Sequence, residues 1–287
     1  MGPFHEGELA VQQRVGVAAN AERIGRSIHA EIPDVARRFA AEREFVIVGA
    51  ADAEGRVWAT LLRGEPGFVS APSGDRLRID ARPRPGDPLA GVLAGETDLG
   101  MLLIEPATRR RMRVNGRATP AGPTGLELAT REVYANCPKY IHPREVRLPA
   151  ANASGATRAT TGTALTAGQA ERLGEADTLF LASRHPDTGA DVSHRGGPPG
   201  FVVVAGLSAL RIPDYAGNMM FNTLGNLAAH PEAGLLLVDF VSGDTLQLTG
   251  RATINWDPAV RAGMAGAERV IEFLIEGVVE LRAGRPA

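Results

Sequence analysis

Apolar residues come in short runs along this chain, separated by turn residues, and most runs have the length of a strand rather than helical spacing. A helical pattern over Asp34 to Arg43 feeds the run Phe45-Val46-Ile47-Val48, which a turn at Asp52-Ala53-Glu54-Gly55 follows. Further strands are predicted at Val57 to Leu62, Phe68 to Ser70, Leu77 to Asp80, Leu99 to Glu105 and Arg111 to Arg117. The later part reads the same way: Thr166 caps a helix over Ala167 to Ala176, Thr178-Leu179-Phe180-Leu181 follows, and the chain turns at Pro186-Asp187-Thr188-Gly189. Ahead of both, Gly7 to Ala30 has helical periodicity through Leu9, Val11, Val15, Ile24 and Ile28, in two segments.

The likeness of the two parts extends to sequence. Arg63-Gly64-Glu65-Pro66-Gly67-Phe68-Val69 recurs as Arg195-Gly196-Gly197-Pro198-Pro199-Gly200-Phe201-Val202. Gly100-Met101-Leu102-Leu103-Ile104-Glu105 recurs as Gly234-Leu235-Leu236-Leu237-Val238-Asp239, and Asn115-Gly116-Arg117-Ala118-Thr119 as Thr249-Gly250-Arg251-Ala252-Thr253. The last two pairs share an offset of 134 residues and the first starts at 132, so the chain is a tandem repeat. Many short strands and few helices per copy predict a mainly β fold of two small β-barrels. No glycine-rich dinucleotide fingerprint follows a strand, which removes a Rossmann fold. The expected division is a helical N-terminal extension (1–30), a first barrel (31–149), a small polar linker (150–164) and a second barrel (165–287).

Composition narrows the classes. The 31 basic and 33 acidic residues among 287 leave a net charge of −2, so a nucleic-acid partner is not expected. The single cysteine, Cys137, can form no intrachain disulfide and no thiolate zinc cluster. No signal-peptide pattern opens the chain and no apolar run spans a bilayer, so a cytoplasmic protein without a membrane partner is expected. His5, Glu6 and Glu8 are read as complementing a helix dipole rather than as metal ligands. The only lysine, Lys139, lies two residues after Cys137. In a chain that otherwise uses arginine, its compact and titratable ammonium marks it as a candidate.

The informative stretch is Asp214 to Leu227, DYAGNMMFNTLGNL, which leaves a strand and enters a helix. Free amides at a helix start, with Asn218, Asn222 and Thr223 beside them, can seat an anion; the same residue types also cap helices and close turns. Upstream, Ser193-His194-Arg195 ends a strand, where Arg195 can pair with a phosphate. Thr245, Gln247 and Thr249 alternate along one strand face. The first repeat has Arg111, Arg113 and Asn115 at those positions. These arginines are read as facing solvent or stabilising the barrel interface, with a reach across to an anion as the bolder reading.

The segments SHRGGPPGF, DYAGNMMFNTLGN and DTLQLTGRA of the second half, with FHEGELAVQQRVG, TRRRMRVNG and NCPKYIHPR of the first, resemble the pyridoxamine 5′-phosphate oxidase-like flavoproteins in their two-barrel form. The resemblance implies two tandem FMN-binding split β-barrels forming an intrachain pseudo-dimer, with FMN as cofactor. It places the phosphate against Ser193, His194, Arg195, Asn218, Asn222 and Thr223. Thr245 and Gln247 would line the flavin, and Lys139 and Tyr140 would complete the pocket from the first barrel. The Phe221-Asn222-Thr223 sequence stands where relatives acting on vitamin B6 have a Ser-Arg-Lys type of clamp, so that activity is not carried over. The counterparts of Ser193, His194, Asn222 and Thr223 are Leu61, Leu62, Pro88 and Leu89, which cannot bind phosphate oxygens, so one FMN per chain is expected. The function implied is an FMN-dependent oxidoreductase passing electrons between a reduced nicotinamide, NAD(P)H, or a small organic donor and oxygen or a small-molecule acceptor. The alternative is a non-catalytic flavin- or haem-binding protein with His194 as axial ligand. The chain is expected as a monomeric pseudo-dimer or a homodimer.

Overall fold

The computed structural model describes residues 2–149 and 157–283. Two helices, α1 (Glu6–Val15) and α2 (Ala18–Gly25), precede α3 (Asp34–Ala41). The first sheet then comprises β1 (Phe45–Ala51), β2 (Val57–Arg63), β3 (Val69–Ser73), β4 (Arg76–Ile79), β5 (Thr97–Glu105), β6 (Arg110–Ala121) and β7 (Gly125–Ala135). After β8 (Arg158–Gly162) and α4 (Ala167–Glu175) come β9 (Thr178–His185), β10 (Gly189–Gly196), β11 (Val203–Val204) and β12 (Ala209–Asp214). The chain closes with α5 (Asn222–Ala229), β13 (Glu232–Val238), β14 (Thr245–Asn255), α6 (Pro258–Ala262) and β15 (Arg269–Arg282).

The two sheets have one topology. The first runs β2-β1-β5-β6-β7-β4-β3 and the second β10-β9-β13-β14-β15-β12-β11, all antiparallel, so every strand but β8 has a counterpart in the same place. Each sheet curls into a split barrel around its own core, and the chain is an intrachain pseudo-dimer. Leu62, Leu77, Leu99 and Met101 sit in the first core; Leu181, Leu235, Leu248 and Phe273 sit in the second. A third core joins the barrels, with Ile47, Leu61 and Leu102 on one side and Phe180, Val192 and Leu236 on the other. This explains the unbroken apolar run at β1: Val46 and Val48 point into the barrel while Phe45 and Ile47 point at the partner barrel.

Glycines permit the barrels to approach. A Cβ on Gly100 in β5 would lie 2.6 Å from the Cα of Asp191 in β10, and one on Gly234 in β13 would lie 2.8 Å from the Cα of Trp58 in β2. The two contacts are exchanged by the repeat.

The segment expected to be a linker differs from that expectation. Residues 150–156 lie outside the described residues, but Arg158–Gly162 pairs with β15. All five of its residues are exposed, so the strand needs no apolar alternation and the pattern could not mark it. The helix expected to Arg43 ends at Ala41. Among the described residues no helix is long and apolar enough to cross a membrane.

Candidate functional site

The end of β10, the loop from Asp214 to Phe221 and the first turn of α5 form one wall of a cleft; β6 of the first barrel and the segment after β7 around Asn136 and Tyr140 form the other. The loop is held in an unusual backbone shape. Tyr140, Met219 and Phe221 line the cleft and have φ of 64, 65 and 62°, a left-handed conformation that costs a non-glycine residue free energy and clusters at functional sites. Phe221 is the N-cap of α5 and supplies no side-chain cap hydrogen bond, which leaves the first-turn amides for another acceptor.

Charge converges on the cleft from both barrels. Arg113 is buried among Tyr134 Oη (3.1 Å), Asp191 Oδ2 (3.1 Å) and Asn222 Oδ1 (3.3 Å), and it also donates to Ser193 Oγ. Burial opposes its charge, but Asp191 and Tyr134 outweigh that and raise its pKa. Arg195 donates to Asp214 at 2.6 Å, and Asp214 is shared with the buried Arg269. Arg111 differs: among the described residues it has no carboxylate partner and donates to His194 Nδ1 at 3.0 Å. Burial, with Arg113 and Arg195 nearby, brings its pKa down to about 10, so it remains charged at neutral pH.

Among the described residues four side-chain N–H groups in this lining are buried without an acceptor: Arg111 Nε, Arg113 Nε, Arg195 Nε and Asn136 Nδ2. A buried donor left unpaired costs about 1–3 kcal/mol. Four of them around one cleft, beside an uncompensated guanidinium, fit an anion with several acceptor oxygens.

Of the residues singled out in the sequence, Ser193, His194, Arg195, Asn218, Asn222, Thr223 and Tyr140 all line this cleft. Ser193 and Thr223 hydroxyls share a hydrogen bond. Asn218 also closes a turn, its Oδ1 accepting from Met220 N at 3.1 Å, and its Nδ2 donates across to Asn136. Tyr140 donates to the Ala216 carbonyl at 3.0 Å and stacks on Tyr215 at 5.1 Å. His194 is held neutral by burial and by the arginines around it. Its Nδ1 accepts from Arg111, so its proton is on Nε2 and neither nitrogen offers a free lone pair to a haem iron.

Three expected residues are elsewhere. Lys139 is exposed and outside the lining. Thr245 and Gln247 lie at the place the repeat makes equivalent to the cleft. There Thr245 accepts from Arg84 at 2.8 Å, and Gln247 donates to the Ala59 carbonyl and to Asp87. The reason is the exchange built into the pseudo-dimer: the β14 face meets the first barrel's β2, and the β6 face meets β10. Each cleft therefore takes its strand from the opposite barrel, and Arg111 and Arg113 stand where Thr245 and Gln247 were expected. The 134-residue offset carried that signal.

The fold and cleft define a two-barrel protein with an arginine-lined polar cleft between its halves. Residues 165–279 match the family model described as pyridoxamine 5′-phosphate oxidase, a stretch that takes in most of the second barrel. No curated protein sequence matches the chain. Among solved structures it is similar to an FMN-binding protein from Syntrophomonas wolfei subsp. wolfei, at 10% identity over 41% of this chain and 87% of that one, TM-score 0.33. It is similar also to a NimC/NimA family protein from Clostridium acetobutylicum, at 15% identity over 41% and 84% of the two chains, TM-score 0.31. HupZ of group A Streptococcus matches at 12% identity over 43% and 99%, TM-score 0.34.

Proposed function

We propose that this chain is an FMN-dependent oxidoreductase with one FMN in the cleft between its barrels. The reading rests on the four unpaired donors around an uncompensated Arg111. The phosphate is assigned to Arg111, Arg113, Arg195 and the first turn of α5, and the planar ring to the side of the cleft bearing Tyr140 and Tyr215. The first barrel (31–149) thus supplies two arginines and the second (165–287) the rest. When bound, the flavin supplies the redox chemistry, and the protein supplies binding, orientation and a field of fixed charge. The electron donor is assigned to the class of reduced nicotinamides or small organic molecules, and the acceptor to oxygen or a small molecule.

The purified chain is expected to be yellow and to bind one equivalent of FMN. Arg111→Ala removes an unpaired charged donor and is expected to weaken FMN binding about 10- to 100-fold, as for a charge-assisted hydrogen bond of about 1.5–3 kcal/mol. Arg84→Ala, at the equivalent place in the other half, is expected to leave the affinity unchanged. A colourless chain that takes up no added FMN sinks the proposal. Anaerobic mixing with NADH or NADPH separates a reductase, whose flavin absorbance bleaches, from a binding protein, whose absorbance stays.

A further inference from the structure

The motif His5-Glu6-Gly7-Glu8 precedes both barrels, yet α1 packs on α5 of the second. The contact is backbone to backbone: a Cβ on Gly7 would lie 2.3 Å from the Gly225 carbonyl, and one on Gly225 would lie 2.6 Å from Glu8 N. It drives the buried Glu8 carboxyl against the helix turn that borders the cleft. Glu8 Oε2 accepts from His5 N at 2.9 Å and Oε1 from Asn222 Nδ2 at 2.6 Å. The other end of the Asn222 amide, Oδ1, faces the cleft arginine Arg113 at 3.3 Å.

An amide has one accepting and one donating end, so Asn222 cannot donate to Glu8 and to an anion in the cleft with the same orientation. With Glu8 ionised, it presents an acceptor to the cleft, which an anion repels. We propose that Glu8 is a positioning residue that couples anion binding in the cleft to uptake of one proton. The protonated carboxyl donates to Asn222 Oδ1 and turns Nδ2 toward the anion. His5 N keeps its acceptor, Arg113 is released from Oδ1 to donate to the same anion, and the proton comes from solvent. The inference rests on the anion-binding reading of the cleft.

The surroundings favour a proton at this position. Burial raises the pKa of Glu8 to about 8, and Glu132 on β7 and Asp191 on β10 add negative charge. Arg113 on β6 faces it through Asn222. On its own helix the exposed Glu6 accepts from His185 Nε2 at 2.9 Å; His5 stacks on His185 of β9, and burial holds His5 toward its neutral form. Asp187 lies in the adjoining turn, α5 carries no titratable side chain, and α2 exposes Glu22 and Arg23. The Nδ1 atoms of His5 and His185 accept from the backbone N–H groups of Gly7 and Asp187, so neither nitrogen is free to act as a ligand.

Calorimetric titration of the full chain with sulfate and with FMN, from about pH 7 to about pH 9.5, tests the coupling. Sulfate keeps its charge over that range, and a phosphate monoester with a second pKa of about 6 stays fully charged. Wild-type affinity for both is expected to fall above about pH 8, approaching tenfold per pH unit, with uptake of one proton read from buffers of different ionisation enthalpy. Glu8→Gln, whose amide can donate to Asn222 Oδ1 as the protonated acid does, is expected to hold the low-pH affinity across the range with no proton uptake. Glu8→Leu is expected to bind weakly at every pH. A wild-type profile without slope, or a slope that Glu8→Gln retains, overturns the proposal. Sulfate binding with this behaviour in a chain that binds no FMN upholds it and defeats the flavin reading. Binding of neither anion overturns both.

Discussion

Arg111 and Arg113 on β6 and Thr245 and Gln247 on β14 occupy equivalent positions, and this exchange sets how many unpaired donors each of two related places offers. At the β14 place the polar groups are turned on one another: Asp87 accepts from Thr60 and Gln247, and burial raises its pKa so that it is closer to neutral than a free carboxyl. Among the described residues one guanidinium donor, Arg84 Nη1, and one acceptor, Gln247 Oε1, are left over there, against three guanidinium donors, the Nε groups of Arg111, Arg113 and Arg195, at the β6 place. Glu8 has a cost of its own. Its carboxyl titrates near 4.5 when exposed and at about 8 here, so between those values the folded chain holds a proton that the unfolded chain has released. Stability is therefore greatest below the lower value and falls as pH rises toward the upper one, by as much as about 1.4 kcal/mol per unit. Glu8→Gln removes this titration. Chemical denaturation is expected to show the variant gaining on the wild type steadily from about pH 5 to about pH 8; parallel stability curves would show that Glu8 titrates normally.

Elements account for what could and could not be read beforehand. The Asn-Gly-Arg-Ala-Thr and Thr-Gly-Arg-Ala-Thr segments match because each carries the same β-bulge, between Asn115 and Gly116 against β7 and between Thr249 and Gly250 against β15. A Cβ on Gly116 would lie 2.0 Å from the Ala129 carbonyl and one on Gly250 1.9 Å from that of Leu274, so neither position accepts a side chain. Gly250→Ala and Gly116→Ala are each expected to destabilise the fold by about 1–3 kcal/mol or more, measured by denaturant midpoint. The repeat and the strands from β1 to β6 were legible because each contains a short apolar run or alternation bounded by turn residues. β7 was not, since the bulge skips Arg131 and shifts the inward phase by one residue. α5 was legible as a helix entered from a polar loop. At its counterpart, Pro88, Gly91 and Gly95 leave only a 3-10 turn at Val92–Ala94. The Asp214–Thr223 stretch stands out in the sequence because its polar residues interrupt an apolar barrel, and with the end of β10 it lines one wall of the cleft. The arginine wall was not assigned to it, because only the barrel-to-barrel packing shows that β6 faces β10.

The whole molecule is two barrels that share a core and a cleft, and the ligand proposed for the cleft touches both. Leu61 and Leu102 from one half and Phe180 and Leu236 from the other are buried in that shared core, each contributing about 1.5–3 kcal/mol to holding the halves together. An anion held by Arg111 and Arg113 of the first barrel and by Arg195 and α5 of the second adds a link at the edge of this interface, where the backbones approach through Gly100. Because only the docked arrangement offers all its donors, the ligand stabilises the docked state and not either barrel alone. At a free FMN concentration about 100 times the dissociation constant, that is worth about 2.7 kcal/mol. In differential scanning calorimetry, FMN is expected to raise the midpoint of the transition and to narrow it, since both barrels then lose the ligand together. With Arg111→Ala, the same FMN concentration is expected to give a smaller shift, and an equal shift in that variant would mean that the second barrel holds the ligand unaided.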